Sequence, residues 1–126
     1  MMQHLIYIFL GGGIGAVLRY GATQAAVAKL GSALPGTLVV NVLGCLAMGA
    51  ALGYMQLRPA WVSEEVRLFI TTGLLGALTT FSTLNMELFN LLRAGRLGCA
   101  LAYLGLSLLL GMLATAGGYA CMARLR

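Results

Sequence analysis

Between Val66 and Leu92 runs an apolar segment long enough to cross a membrane, and inside it lies Thr71-Thr72-Gly73-Leu74-Leu75-Gly76-Ala77-Leu78-Thr79-Thr80-Phe81-Ser82-Thr83-Leu84-Asn85. This stretch brings seven hydroxyl or amide side chains and two glycines into the segment. In hydrocarbon an unpaired polar group is costly, so polar residues of a spanning helix face protein or a water-filled path. The stretch reads as a broken helix lining a site, and the rest of the chain as the frame that holds it.

Composition supports that frame. The 126 residues are 60% hydrophobic and 9% charged, with mean hydropathy +0.93. A soluble domain carries roughly 25% charged residues. Eight Lys or Arg and three Asp or Glu cannot give a soluble domain of this size a polar surface. The chain reads as an all-α integral membrane protein of one domain, residues 1–126. The apolar runs are continuous rather than alternating, which argues against a β-barrel. The basic residues are scattered in ones and twos without interleaved aromatics, so no nucleic-acid partner is expected. Cys45, Cys99 and Cys121 are far apart and form no C-x-x-C pair, which suggests neither a disulfide framework nor a metal site. Met1-Met2-Gln3-His4 lacks the basic region of a signal peptide, and the apolar run that follows reads as a first membrane helix. His4 reads as an interfacial residue.

About 20 helical residues cross the ~30 Å hydrocarbon core. Four spans are expected, at about 5–28, 37–57, 66–92 and 97–122. In the first, Gly11 with Gly15 and Gly12 with Ala16 have the small-x-x-x-small spacing that lets helices approach closely. Arg19 has two readings: its stem snorkels to the interface, or it draws anions toward a pore mouth. Pro35-Gly36 punctuates the first loop, with Thr37 as the expected N-cap of the second span. That span holds one strongly polar interior residue, Asn41, read either as a tie between helices or as part of a pathway. Pro59 ends it, Trp61 suits an interface, and Ser63 is placed to cap the third span. Gly95 stops that span between Arg93 and Arg96. In the fourth, Tyr103, Ser107 and Thr115 fall on one face, with Gly111 at the missing step.

With four spans both termini lie on one side. That side carries Arg58, Arg67, Arg124 and Arg126, against Arg19, Lys29, Arg93 and Arg96 on the other: four each. The positive-inside rule then gives no preference, as for a chain that inserts both ways. Two copies can pair antiparallel about an axis in the membrane plane. Four thin helices are also few to enclose a pathway, which again favours an oligomer.

The chemistry is set by donors. No nucleophile–base pair or phosphate loop is present, so an enzyme is not expected. The one acid inside a span is Glu87. Asn41, Thr79, Thr80, Ser82, Thr83, Tyr103, Ser107 and Thr115 offer hydrogen-bond donors, and Phe81 an electropositive ring edge. This set suits a small anion. A break around Gly76 to Thr79 frees carbonyls that can hold a cation.

Gly11-Gly12-x-x-Gly15-Ala16-x-x-Arg19-Tyr20, Gly36-Thr37-Leu38-x-x-Asn41 and Thr71-Thr72-Gly73-x-x-Gly76-x-Leu78-Thr79-Thr80-Phe81-Ser82-Thr83 closely resemble the Fluc (CrcB) fluoride channels, from about Gly11 through Leu92. The resemblance implies an antiparallel, dual-topology homodimer with two pores, exporting fluoride passively across the inner (plasma) membrane. It implies that Asn41 and Phe81 line the pore, with Thr80, Ser82 and Thr83 completing the break and Tyr103, Ser107 and Thr115 a polar track beside it. It places Arg19 and Glu87 near the vestibules, and a structural sodium ion at the dimer centre on the Gly76 and Thr79 carbonyls. Two departures stand out. The family usually has a second pore phenylalanine where this chain has Leu84, and Gly111 stands where a polar track residue is expected. Two other readings remain. A small multidrug-type exporter is also a four-helix, dual-topology protein, but it needs a carboxylate in its first span, and 5–28 has none. A non-conducting subunit of a heterodimer would leave the second ring to a partner.

Overall fold

The computed structural model describes residues 1–125; Arg126, one of the basic residues weighed for orientation, lies outside them. Helix α1 covers Met2–Leu30 and α2 covers Leu34–Leu57. A 3-10 turn at Pro59–Trp61 leads to α3, Glu64–Leu68. The chain continues through a π-helical segment at Phe69–Leu75, the short turn α4 at Gly76–Leu78, and α5 at Phe81–Arg93. Helix α6 is Leu97–Ala123. Four helical stretches, Met2–Leu30, Leu34–Leu57, Glu64–Arg93 and Leu97–Ala123, are long and apolar enough to cross a membrane. The protein is an all-helical, multi-pass membrane protein.

The helix ends follow local chemistry. Gly31 and Gly95 both take φ 69°, the left-handed geometry that ends helices and that side chains disfavour. Gly31 donates its N–H to the Val27 carbonyl, and Arg96 closes the turn after α5 onto Leu91. Ser63 caps α3 by accepting the Val66 N–H at 3.4 Å. Thr37 is not a cap. Helix α2 begins a turn earlier at Leu34, with Pro35 in its first turn, where the missing N–H costs nothing. At the same end of the molecule as Ser63, His4 Nε2 lies 3.6 Å from Glu65 Oε1, and the Arg58 guanidinium sits 5.7 Å from the Trp61 ring centre. Both contacts suit an interface between lipid and water.

Two close approaches hold the helices together. A Cβ on Gly49 would strike the backbone of Thr115, and one on Gly118 the backbone of Leu46 and Ala50. These glycines bring α2 and α6 into backbone contact, which is how helices pack where no hydrophobic effect drives them together. Gly11 and Gly15 do the same for α1. A Cβ there would meet the Phe69 or Leu74 carbonyl, and one on Gly73 would meet the Ile8 carbonyl and Gly11. Gly12, the first member of the other small-residue pair, faces open space. It lies about 100° round the helix from Gly11.

Candidate functional site

Regular helical geometry stops after Leu78 and resumes at Phe81. Thr79 takes φ −81°, ψ 147° and Thr80 takes φ −147°, ψ 117°. In a continuous helix the Thr80 N–H would bond the Gly76 carbonyl. Here it bonds Asn41 Oδ1 at 2.8 Å, while Asn41 Nδ2 donates to the Thr80 carbonyl at 3.3 Å. A single α2 side chain thus satisfies both backbone groups of Thr80, as a neighbouring strand would. Thr80 also caps α5. Its Oγ1 accepts the Thr83 N–H at 3.2 Å and lies 3.1 Å from Thr83 Oγ1 and 3.2 Å from Ser82 Oγ. Thr79 Oγ1 donates to the Leu75 carbonyl at 2.9 Å, doubling the bond from its own N–H. Arg19 Nε donates to the Ala77 carbonyl at 3.1 Å.

A cavity of about 220 Å³ opens beside this interruption, lined in part by Asn41, Thr79, Thr80, Phe81 and Ser107. Ser107 Oγ is shielded from solvent and has no hydrogen-bond partner among the described residues. A buried hydroxyl left in that state loses free energy unless something in the cavity takes it up. Phe81 is 74% exposed, and Ser82 and Asn85 share its exposed face of α5. Asn85 answers its own amide with the Phe81 carbonyl at 2.9 Å.

The fourth-span stripe divides between three environments. Ser107 reaches the cavity. Thr115 Oγ1 donates to the Gly111 carbonyl one turn back, at 3.0 Å, the self-satisfying bond open to any helical threonine. Its backbone packs against Gly49 in the α2–α6 seam. Tyr103 is drawn away into a second polar cluster. Its hydroxyl donates to Glu87 Oε2 at 2.6 Å, and Thr37 Oγ1 donates to Glu87 Oε1 at 2.7 Å. Glu87 is only 8% and Thr37 only 2% exposed. A carboxyl so deeply buried must find donors, and these two hydroxyls supply one to each oxygen.

Glu87 therefore lies within the interior of the helix bundle, beside Leu84, Leu91, Ala100 and Tyr103, rather than at an open vestibule. The sequence contains all three partners, and the need of a mid-span acid for donors is the signal that links them. Their sequence separations of 50 and 16 residues hid the contact. Leu84 is buried in the same cluster, one turn along α5 from Phe81, and lines the cavity with it. Replacing Tyr103 with Phe leaves one Glu87 oxygen without its donor. This variant is expected to lose about 1–3 kcal/mol of stability, read as a lower thermal midpoint in detergent, while Tyr119→Phe at an exposed hydroxyl changes it little.

Among the described residues no group of three or more His, Cys, Asp or Glu is placed to hold a metal ion. The interruption offers a different donor set. The Gly76 carbonyl has lost its helical Thr80 partner to Asn41, Gly76 itself is exposed, and Thr79 follows in extended geometry. Neutral carbonyl oxygens of this kind fit a hard monovalent cation.

Such an arrangement defines a class: a helical membrane protein whose third span is interrupted beside a small cavity, largely apolar in its lining, into which a few hydrogen-bonding side chains are set. The particular family follows from comparison. The profile of the family described as "CrcB-like protein, Camphor Resistance (CrcB)" matches residues 6–119, and the chain belongs to that family. It is 42% identical over 120 residues to the "Fluoride-specific ion channel FluC" of Methylobacterium sp. (strain 4-46), covering 94% of this chain and 95% of the relative. The protein of the same name from Hyphomonas neptunium is 44% identical over 112 residues, 88% of each chain. That from Bacteroides fragilis is 43% identical over 123 residues, covering 94% and 95%.

Proposed function

We propose that the chain is a fluoride-selective channel, not an enzyme, that lets fluoride leave the cytoplasm passively across the inner (plasma) membrane. The observation that carries this reading is the cavity at the interruption, where Ser107 Oγ has no partner among the described residues and Asn41, Thr80 and Phe81 stand beside it. Fluoride is small and strongly hydrated, so a pore must replace its water with donors one site at a time. Asn41 uses one N–H on Thr80 and keeps a second. Ser107, Ser82 and Thr83 add hydroxyls, and Phe81 presents its ring edge. The names of the relatives point to the same ion.

The working unit in this reading is an antiparallel, dual-topology homodimer with two pores. The exposed α5 face supports it: Phe81, Ser82 and Asn85 would otherwise meet lipid, where serine and asparagine are costly. The balanced arginines and lysines support insertion both ways. A sodium ion on the Gly76 and Thr79 carbonyls, two from each copy, would supply a fixed positive charge at the dimer axis. These carbonyls stay in place because Asn41 holds the backbone beyond them and Thr79 is anchored on Leu75. Tyr103 and Thr115 belong, if they contribute to conduction, to the support of the track and not to its lining: their hydroxyls are already engaged.

Liposomes holding only this protein are expected to release fluoride on addition of an ionophore that balances charge, and to retain chloride. Absence of fluoride release, or equal chloride release, overturns the channel reading. Release from a preparation of this chain alone also separates the homodimer from a subunit that needs a different partner. Phe81→Leu removes the ring edge, an interaction worth about 1 kcal/mol in aromatic contacts. Flux is expected to fall about fivefold, with little change in folded yield, since the ring is exposed on the protomer.

A further inference from the structure

We propose that Arg19 is the positioning residue of the interruption, holding the Ala77 carbonyl so that the neighbouring Gly76 and Thr79 carbonyls keep the geometry needed to bind a cation; the cation part rests on the sodium platform proposed above. The carbonyls of the last turn before the interruption lose their helical partners where Thr79 and Thr80 become extended, those of Gly76 and Ala77 among them. Continuation of the helix would have given the Gly76 carbonyl the Thr80 N–H and the Ala77 carbonyl the Phe81 N–H. The Thr80 N–H goes instead to Asn41. The Ala77 carbonyl receives Arg19 Nε at 3.1 Å, across 58 residues of sequence. Two side chains from two other helices therefore brace the interruption from its two ends, Asn41 beyond it and Arg19 before it.

The reach of Arg19 is set by its own helix. Gly11, Gly15 and Arg19 are spaced by four and share one face of α1. The two glycines put that face against the carbonyls of Phe69 and Leu74. Arg19 is the next step on the same stripe, and it arrives at Ala77. The contact is half-buried, where a charged donor makes a stronger bond than a neutral one. Among the described residues only its Nε has a hydrogen-bond partner. The guanidinium is thus fixed by one point, and that point is a backbone oxygen adjacent to Gly76.

This assignment differs in sign from a purely electrostatic one. A guanidinium close to a cation site repels the cation, so its removal would tighten sodium binding if charge were its whole role. Removal of a brace loosens binding. It also differs from a snorkelling arginine, whose loss leaves the backbone of the interruption undisturbed.

The test uses the full chain in detergent and liposomes, as wild type, Arg19→Ala and Arg19→Lys. Two readouts avoid fluoride flux: backbone amide hydrogen exchange across residues 79–84, and the sodium concentration giving half of the sodium-induced rise in thermal midpoint. In Arg19→Ala exchange at Thr80 and Phe81 is expected to quicken about tenfold or more, and the half-effective sodium concentration to rise about tenfold, the order set by loss of one hydrogen bond to a charged group. Arg19→Lys, which keeps the charge at a different reach, is expected to fall between. Unchanged exchange in Arg19→Ala, or a lower half-effective sodium concentration, overturns the proposal. Should Arg19→Ala fail to insert, Arg19→Lys decides alone: behaviour equal to wild type in both readouts overturns it, and a shift in both supports it. A wild type indifferent to sodium, with exchange still quickened by Arg19→Ala, sinks the sodium platform and supports Arg19 as the brace.

Discussion

Asn41→Asp is expected to reduce fluoride flux by about a thousandfold in liposomes that otherwise release fluoride quickly. Two effects act together. The first is local. Asn41 Nδ2 donates to the Thr80 carbonyl while Oδ1 accepts the Thr80 N–H. A carboxylate keeps the second bond and turns the first into a meeting of two acceptors. The second is electrostatic. A negative charge at the cavity wall opposes an entering anion, and two unit charges about 4 Å apart interact by about 4 kcal/mol at the effective dielectric of a protein surface. That is the scale of a thousandfold change in rate. Asn41→Ala separates the two effects: it removes the brace without adding charge, so it should lose less flux than the aspartate while quickening amide exchange at Thr80. Flux in Asn41→Asp within a factor of two of wild type removes Asn41 from the pathway.

The importance of Asn41 was legible from its chemistry, but its partner was not. An amide in mid-membrane must be answered, and the sequence left open whether helix or ion answers it. The structure gives it to the Thr80 backbone on one side and leaves one N–H over. The four apolar segments, the cap at Ser63 and the stop at Gly95 were equally legible, because each rests on residues within a few positions of one another. The stripe of Tyr103, Ser107 and Thr115 was the hardest to assign. Spacing put all three on one face of α6, yet that face meets α5, the cavity and α2 in turn. What each hydroxyl does depends on its neighbour, and a lone sequence does not contain the neighbour. The same holds for Glu87, whose position suggested an open mouth and whose burial follows from Thr37 and Tyr103. Arg19 shows the converse. Its two readings concerned water and anions, and the half-helix end it meets comes into view only once Thr79 and Thr80 depart from helical geometry.

Gly15→Leu is expected to abolish the folded protein, whereas Gly13→Ala, two residues away, leaves it intact. Both positions lie in the same glycine-rich run of α1, so helix propensity alone would favour either change. Their surroundings decide. A Cβ at Gly15 would overlap the Leu74 carbonyl and press on the Leu78 N–H; a Cβ at Gly13 meets nothing within 4 Å. Backbone atoms cannot rotate away as a side chain would. Relief requires α1 to move outward along its length, which opens the contact of Gly11 with Gly73 and withdraws Arg19 from Ala77. Overpacking in a well-filled interior costs about 1–3 kcal/mol, and the loss of Arg19's bond adds to it, a sum comparable with a small protein's whole margin of stability. The measurement is the yield of monodisperse protein from membranes, followed by fluoride release from whatever is recovered. Normal yield and normal release from Gly15→Leu would mean that α1 does not lie against the π-helical segment as described. Normal yield with lost release would place the damage at the interruption, and Arg19→Ala should then reproduce it.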